Sequence, residues 1–189
     1  MTPTFTAAAR ILHWLMAGLI VAMLFIGAGM VATVGPAHNW LVPLHKSIGV
    51  AILALVVIRL AVRATRSPPA LPAAMPLPQK AIAHASHLVL YALMIALPLV
   101  GWSMLSAGGY PIIVWGGLLH LPPLMEMDRA LYASLRHLHT YLAYALFLVV
   151  IAPLVGSTDA CLHLQGRRVP EHGELAHPAI GRAAKRRVP

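Results

Sequence analysis

Four long apolar runs constrain this chain more than any other feature. They cover about Ile11–Val34, Trp40–Val62, His84–Ser106 and Leu131–Val155, and each approaches or exceeds the ~20 residues a helix needs to cross a bilayer. Backbone polar groups in lipid must be satisfied within the spanning segment, which leaves helices or a closed barrel. No period-two strand pattern and no internal repeat is present, so the reading is all-α, an integral membrane four-helix bundle. Composition agrees: 59% of the 189 residues are hydrophobic and 10% charged, with mean hydropathy +0.78, where a soluble domain carries roughly a quarter charged residues. The single cysteine, Cys161, excludes an internal disulfide and any multi-cysteine metal centre.

The formal charge of +9 is distributed as a topology signal, not as a nucleic-acid surface. Arg10, Arg59, Arg63, Arg66 and Lys80 fall on one side, with the basic C-terminal segment; Lys46, Arg129 and Arg136 fall on the other. The positive-inside rule then puts both termini in the cytoplasm, together with the proline-rich, acid-free linker Ala64–Lys80, which reads as extended. The first run is too long for a signal-peptide core and reads as a span. Pro98 predicts a kink in the third. The stretch Ala107–Arg129 reads as a Gly- and Pro-rich loop.

Three histidines lie within or at the ends of these runs: His13, His45 and His139. Imidazole is costly in hydrocarbon and marks a bound group or a polar path, and neutral imidazole is the usual axial ligand of b-type haem iron. His45 and His139 fall at one depth near the outer ends of the second and fourth spans, placed to clamp one haem between antiparallel helices. His13 falls near the cytoplasmic end of the first span. A partner for it on the fourth helix belongs about 14 residues beyond His139, nearly the same face ~21 Å along, and that position is Pro153. His84 and His87 share the depth of His13 and read as partners of haem propionates or as interface residues. Of His137 and His139, two apart, only one can face the bundle, and His139 is the better embedded. His38 and His120 read as loop residues, and His163, His172 and His177 belong to the tail; none of these is given a role.

The segments RILHWLMAGL, HKSIGVAILALVVIRLAVR, AHASHLVLYALMIALPLVGW and LHTYLAYALFLVV, in this order and spacing, resemble the bacterial cytochrome b561 family of four-helix membrane cytochromes over residues 8–152. The resemblance implies haem b, one or two per chain, with electrons moving between a quinone such as ubiquinone and a second redox partner, superoxide or a redox subunit. It implies the bacterial inner membrane. By position, His45 and His139 would ligate an outer haem and His13 an inner one, with His87 close by; the family's fourth ligand falls at Pro153. Lys46, Arg129 and Arg136 offer the outer face a positive potential that suits superoxide, or contacts for lipid headgroups.

The domain reading is a haem-binding unit over 1–156 and a polar, basic tail over 157–189. Codons can be chosen for Ser157–Ala176 whose neighbouring frame spells ALMHAFIYRDGVFRSMASW, a string similar to the family's usual ending. The expectation is a one-nucleotide frameshift just after the Gly156 codon; the alternative is a divergent tail held near anionic lipid. Three other functions stand beside electron transfer by a superoxide:ubiquinone oxidoreductase. They are a haem-bearing anchor of a larger dehydrogenase or hydrogenase, a degenerate member with one haem, and a histidine-lined metal or proton transporter. No nucleophile–base constellation, phosphate loop or zinc motif is present.

Overall fold

The computed structural model describes residues 7–65 and 76–166, with side chains to residue 151. Four helices are long and apolar enough to cross a membrane: α1 (Ala7–Ala32), α2 (Pro36–Ala64), α3 (Leu77–Ala107) and α4 (Arg129–Gly166). All four expected spans are therefore helical, and the fold class is the expected one. Their outer faces are greasy, as lipid requires: Phe25 is 75%, Trp40 82% and Leu88 72% exposed.

Several boundaries move. α2 starts at Pro36 and α3 at Leu77, because a proline in the first turn gives up no needed hydrogen bond and has its φ preset for helix. His38 accordingly lies in the first turn of α2, not in a loop, and its Nδ1 donates to the Met30 carbonyl at 3.1 Å. The last residues of the linker expected to be extended, from Leu77, are helical; residues 66–75 lie outside the described residues. α3 continues unbroken through Pro98. The helical assignment of α4 runs past the expected end at Val155 to Gly166, and residues 167–189 of the tail lie outside the described residues.

The core is thin and layered. α1 packs closely on α2, and α2 on α3, while α4 stands further off and joins through side chains. Counting by sevens gives one column per helix, since seven residues return to nearly the same face ~10.5 Å along. The middle layer is Ile20, Ile52, Met94 and Leu146, all buried in one apolar cluster with Met16, Val56 and Leu93. The layer toward one end is Gly27, His45, Gly101 and His139; the layer toward the other begins with His13, Arg59 and His87. Lipid offers no hydrophobic force between helices, so close backbone approach at small residues does more of the holding. A Cβ at Gly49 of α2 would sit 3.3 Å from Met23 Cε of α1.

A short hairpin not anticipated from the sequence closes the end that bears the His45–His139 layer, here termed the loop end. β1 (Ile112–Val114) pairs antiparallel with β2 (Leu119–Leu121), which carries His120, around a single 3-10 turn at Trp115–Gly117. Gly116 and Gly117 take φ of 67° and 100° there, a region closed to most side chains. Ile112 and Val114 bury their side chains, and the Trp115 amide donates to Ser47 Oγ of α2 at 3.0 Å. α3 ends in a Schellman motif, with Gly109 at φ 69° and the Tyr110 amide bonded to Leu105 O. Asp128 caps α4, its Oδ1 accepting from the Ala130 and Leu131 amides at 2.8 and 3.0 Å.

Candidate functional site

The loop-end layer brings two of the singled-out histidines together. His45 is nine residues from the start of α2 and His139 ten from the start of α4, so both lie ~14–15 Å in from the loop end. Their ring centroids are 6.1 Å apart at an interplanar angle of 67°. Each ring rests on a glycine of the neighbouring helix. A Cβ at Gly27 would be 3.8 Å from His45 Cε1, and one at Gly101 would be 3.3 Å from His139 Cε1. His137, two residues earlier, is exposed, so of that pair it is His139 that faces inward.

Both Nδ1 atoms are buried without a hydrogen-bond partner, although the Leu97 backbone lies toward the His139 ring. Orphaned buried polar atoms cost about 1–3 kcal/mol each, and native structures keep few of them without a reason. Two imidazoles on opposite sides of one metal ion, each bonded at about 2 Å, have ring centroids roughly 6 Å apart. The spacing of the pair, its orphaned nitrogens and the glycine cradles therefore fit a bis-histidine metal centre such as a haem iron between α2 and α4. Among the described residues no group of three or more His, Cys, Asp or Glu side chains gathers as a cation site of another kind would require.

The opposite, linker end is built differently. His13, on α1, is exposed, and its Nδ1 accepts a hydrogen bond from Arg59 Nη2 of α2 at 3.1 Å. Arg59 Nε donates to Tyr91 Oη of α3 at 2.9 Å, and both Arg59 and Arg63 stack their guanidinium carbons 5.9 Å from the Tyr91 ring centroid. This Tyr91–Arg59–His13 chain links three helices and was not singled out by the sequence reading, which treated Arg59 only as a topology marker. A signal was available: Arg59 stands 14 residues after His45 on the same helix, hence on the same face. His84 and His87 are exposed, and each turns its Nδ1–H to the carbonyl one turn earlier, Lys80 O and Ala83 O, both at 2.7 Å.

Comparison with known proteins follows the same outline. The family described as "Prokaryotic cytochrome b561" matches residues 4–156. "Cytochrome b561 homolog 2" of Escherichia coli (strain K12) is 38% identical over 108 residues, 55% of this chain and 56% of that protein, so the match spans little more than half the relative's length. "Probable superoxide oxidase CybB" of Yersinia pestis is 30% identical over 144 residues, 74% of this chain and 78% of that protein.

Proposed function

Because the chain belongs to the prokaryotic cytochrome b561 family, a family of membrane b-type cytochromes, we propose that it carries electrons between a quinone and a second redox partner through haem b held by His45 and His139. The observation that carries this reading is the 6.1 Å ring separation of two part-buried histidines, on different helices, whose Nδ1 atoms are buried and unpartnered.

When bound, haem iron supplies the one-electron step between Fe(III) and Fe(II). The chain's own residues set its conditions. His45 and His139 would hold the iron through neutral imidazole, and the glycines at 27 and 101 let the rings lie against neighbouring backbones. The buried middle layer of Ile20, Ile52, Met94 and Leu146 closes the site from below and excludes water. The hairpin, tied to α2 by the Trp115–Ser47 bond, lies at the loop end. Axial ligands, burial and surrounding hydrogen bonds are the protein's means of setting a haem potential.

For the second partner we propose superoxide, on two grounds. One relative bears the name of a superoxide oxidase, and Lys46, Arg129 and Arg136 lie on the same half of the bundle as the histidine pair, where positive potential draws a small anion. The balanced reaction takes two superoxide ions, one quinone and two protons to two dioxygen molecules and one quinol. The charge asymmetry also supports the orientation with both termini and the linker in the cytoplasm of a bacterial inner membrane.

A reduced-minus-oxidised spectrum of the detergent-purified protein tests the reading. It predicts a b-type α-band and Soret shift; a preparation expressed with ample haem that contains none overturns it. Quinol formation driven by superoxide in the same preparation tests the choice of partner.

A further inference from the structure

The two ends of the bundle treat their histidines in opposite ways. At the loop end, His45 and His139 keep their Nδ1 atoms without a hydrogen-bond partner, and their rings meet at 67° with centroids 6.1 Å apart, a spacing that suits a metal between them. At the linker end, His13 is fixed by a hydrogen bond whose direction is not in question. A guanidinium has only donors, so Arg59 Nη2 donates and His13 Nδ1 accepts. A neutral imidazole whose Nδ1 accepts carries its single hydrogen on Nε2. One nitrogen is then occupied by Arg59 and the other is an N–H, and neither offers iron the lone pair that ligation needs.

Among the residues with described side chains, none opposite makes good the loss. The column on α4 that passes through His139 and Leu146 reaches proline at position 153 in sequence register, and proline has no ligating atom. His87 has the complementary tautomer: its Nδ1–H is given to Ala83 O, which leaves Nε2 as an acceptor, but the residue is exposed on α3. The cations Arg10, Arg59, Arg63 and Lys80 gather at this end, while Glu126 and Asp128, the acids among residues with described side chains, lie at the loop end. Arg59 and Tyr91 fill the space between α1, α2 and α3 with a bonded chain.

We infer that the linker end of this bundle is closed to haem by the Tyr91–Arg59–His13 chain, so that the protein carries a single haem and meets both its electron donor and its electron acceptor at the loop end. The inference rests on the loop-end haem proposed above. Its consequence is directional. His45 and Arg59 are 14 residues apart on one helix, ~21 Å along the membrane normal, and without a centre at the second depth the chain has no relay across the bilayer. His13 in this arrangement is a positioning residue that anchors α1 to Arg59.

The experiment is pyridine-haemochrome quantification of haem per chain for the full-length protein purified in detergent, for His13→Ala and His13→Gln, and for His87→Ala. Helical content is followed by circular dichroism. The expected result is one haem per chain in all four, with an unchanged low-spin spectrum. Gln is included because its amide oxygen accepts from Arg59 and preserves packing if Ala unfolds. Two haems per chain in the unsubstituted protein overturn the inference while leaving the proposed function standing. Loss of half of the haem in a folded His13 or His87 variant does the same, and loss of all of it overturns the assignment of the haem to His45 and His139 as well. No haem in any preparation overturns both. A second readout is independent of haem: His13→Ala lowers the melting temperature of the haem-free protein, because it releases Arg59, whereas a His13 that waits for iron leaves that temperature unchanged.

Discussion

His45 on α2 and His139 on α4 face one another with ring centroids 6.1 Å apart, from two helices whose backbones do not approach closely. The separation lies within the range of an edge-to-face ring contact, and it also suits an intervening metal bonded to both. Glycines on the helices behind each ring, Gly27 and Gly101, let the imidazoles lie close against neighbouring backbone.

Gly101→Ala tests this cradle. The added methyl would stand 3.3 Å from His139 Cε1 and 3.6 Å from Nδ1, so the ring must yield by a few tenths of an ångström. The expected outcome is a severalfold weaker hold on haem, read as haem lost during washing in detergent, with Gly101→Val worse. Gly18→Ala is the matched control, because a Cβ there meets nothing within 4 Å.

Arg59 holds three helices at the other end, so its removal costs stability while sparing the loop-end site. Arg59→Ala gives up two hydrogen bonds from a charged donor, each worth about 1.5–3 kcal/mol. Tyr91→Phe gives up one acceptor and costs about half as much. Thermal unfolding in detergent checks both, and the α-band position is expected to stay where it is.

Superoxide capture by a positive surface depends on salt. Lys46→Gln is expected to lower superoxide-driven quinol formation severalfold at low ionic strength and to have little effect at about 0.5 M salt, where screening shortens to a few ångströms. Equal rates at low salt would remove Lys46 from the account.

The gene itself carries a prediction. We propose a one-nucleotide shift just after the codon for Gly156: the family match ends at residue 156, and the neighbouring frame of the next twenty codons can be written as a family-like ending. Resequencing is expected to find codons that spell that ending in the adjacent frame. Codons that spell nothing of the kind would refute it. Pro153 lies before the shift and is unaffected by it.

Much of the bundle was legible because lipid leaves a long apolar run few choices, and the depth of His45 and His139 followed from counting residues from each helix end. Helix starts were harder. Leu77 and Pro36 open helices through proline chemistry at positions that read as linker and loop, which also hid the place of His38. The Ile112–Val114 strand was missed because three residues between glycines carry no visible period; its partners are set by Ser47 and by the antiparallel register with Leu119–Leu121. The Arg59–His13 bond was missed because a basic residue at a span's end was read for topology alone, although its spacing from His45 placed it inside the bundle.

The most direct test of the central claim is the visible spectrum of His45→Ala and His139→Ala, each purified in detergent beside the unsubstituted protein and checked for helical content. The account predicts that both variants stay helical and lose the b-type α-band together, since neither ligand holds iron in low-spin form alone. A folded His139→Ala or His45→Ala protein that keeps its full haem and an unchanged α-band would contradict it.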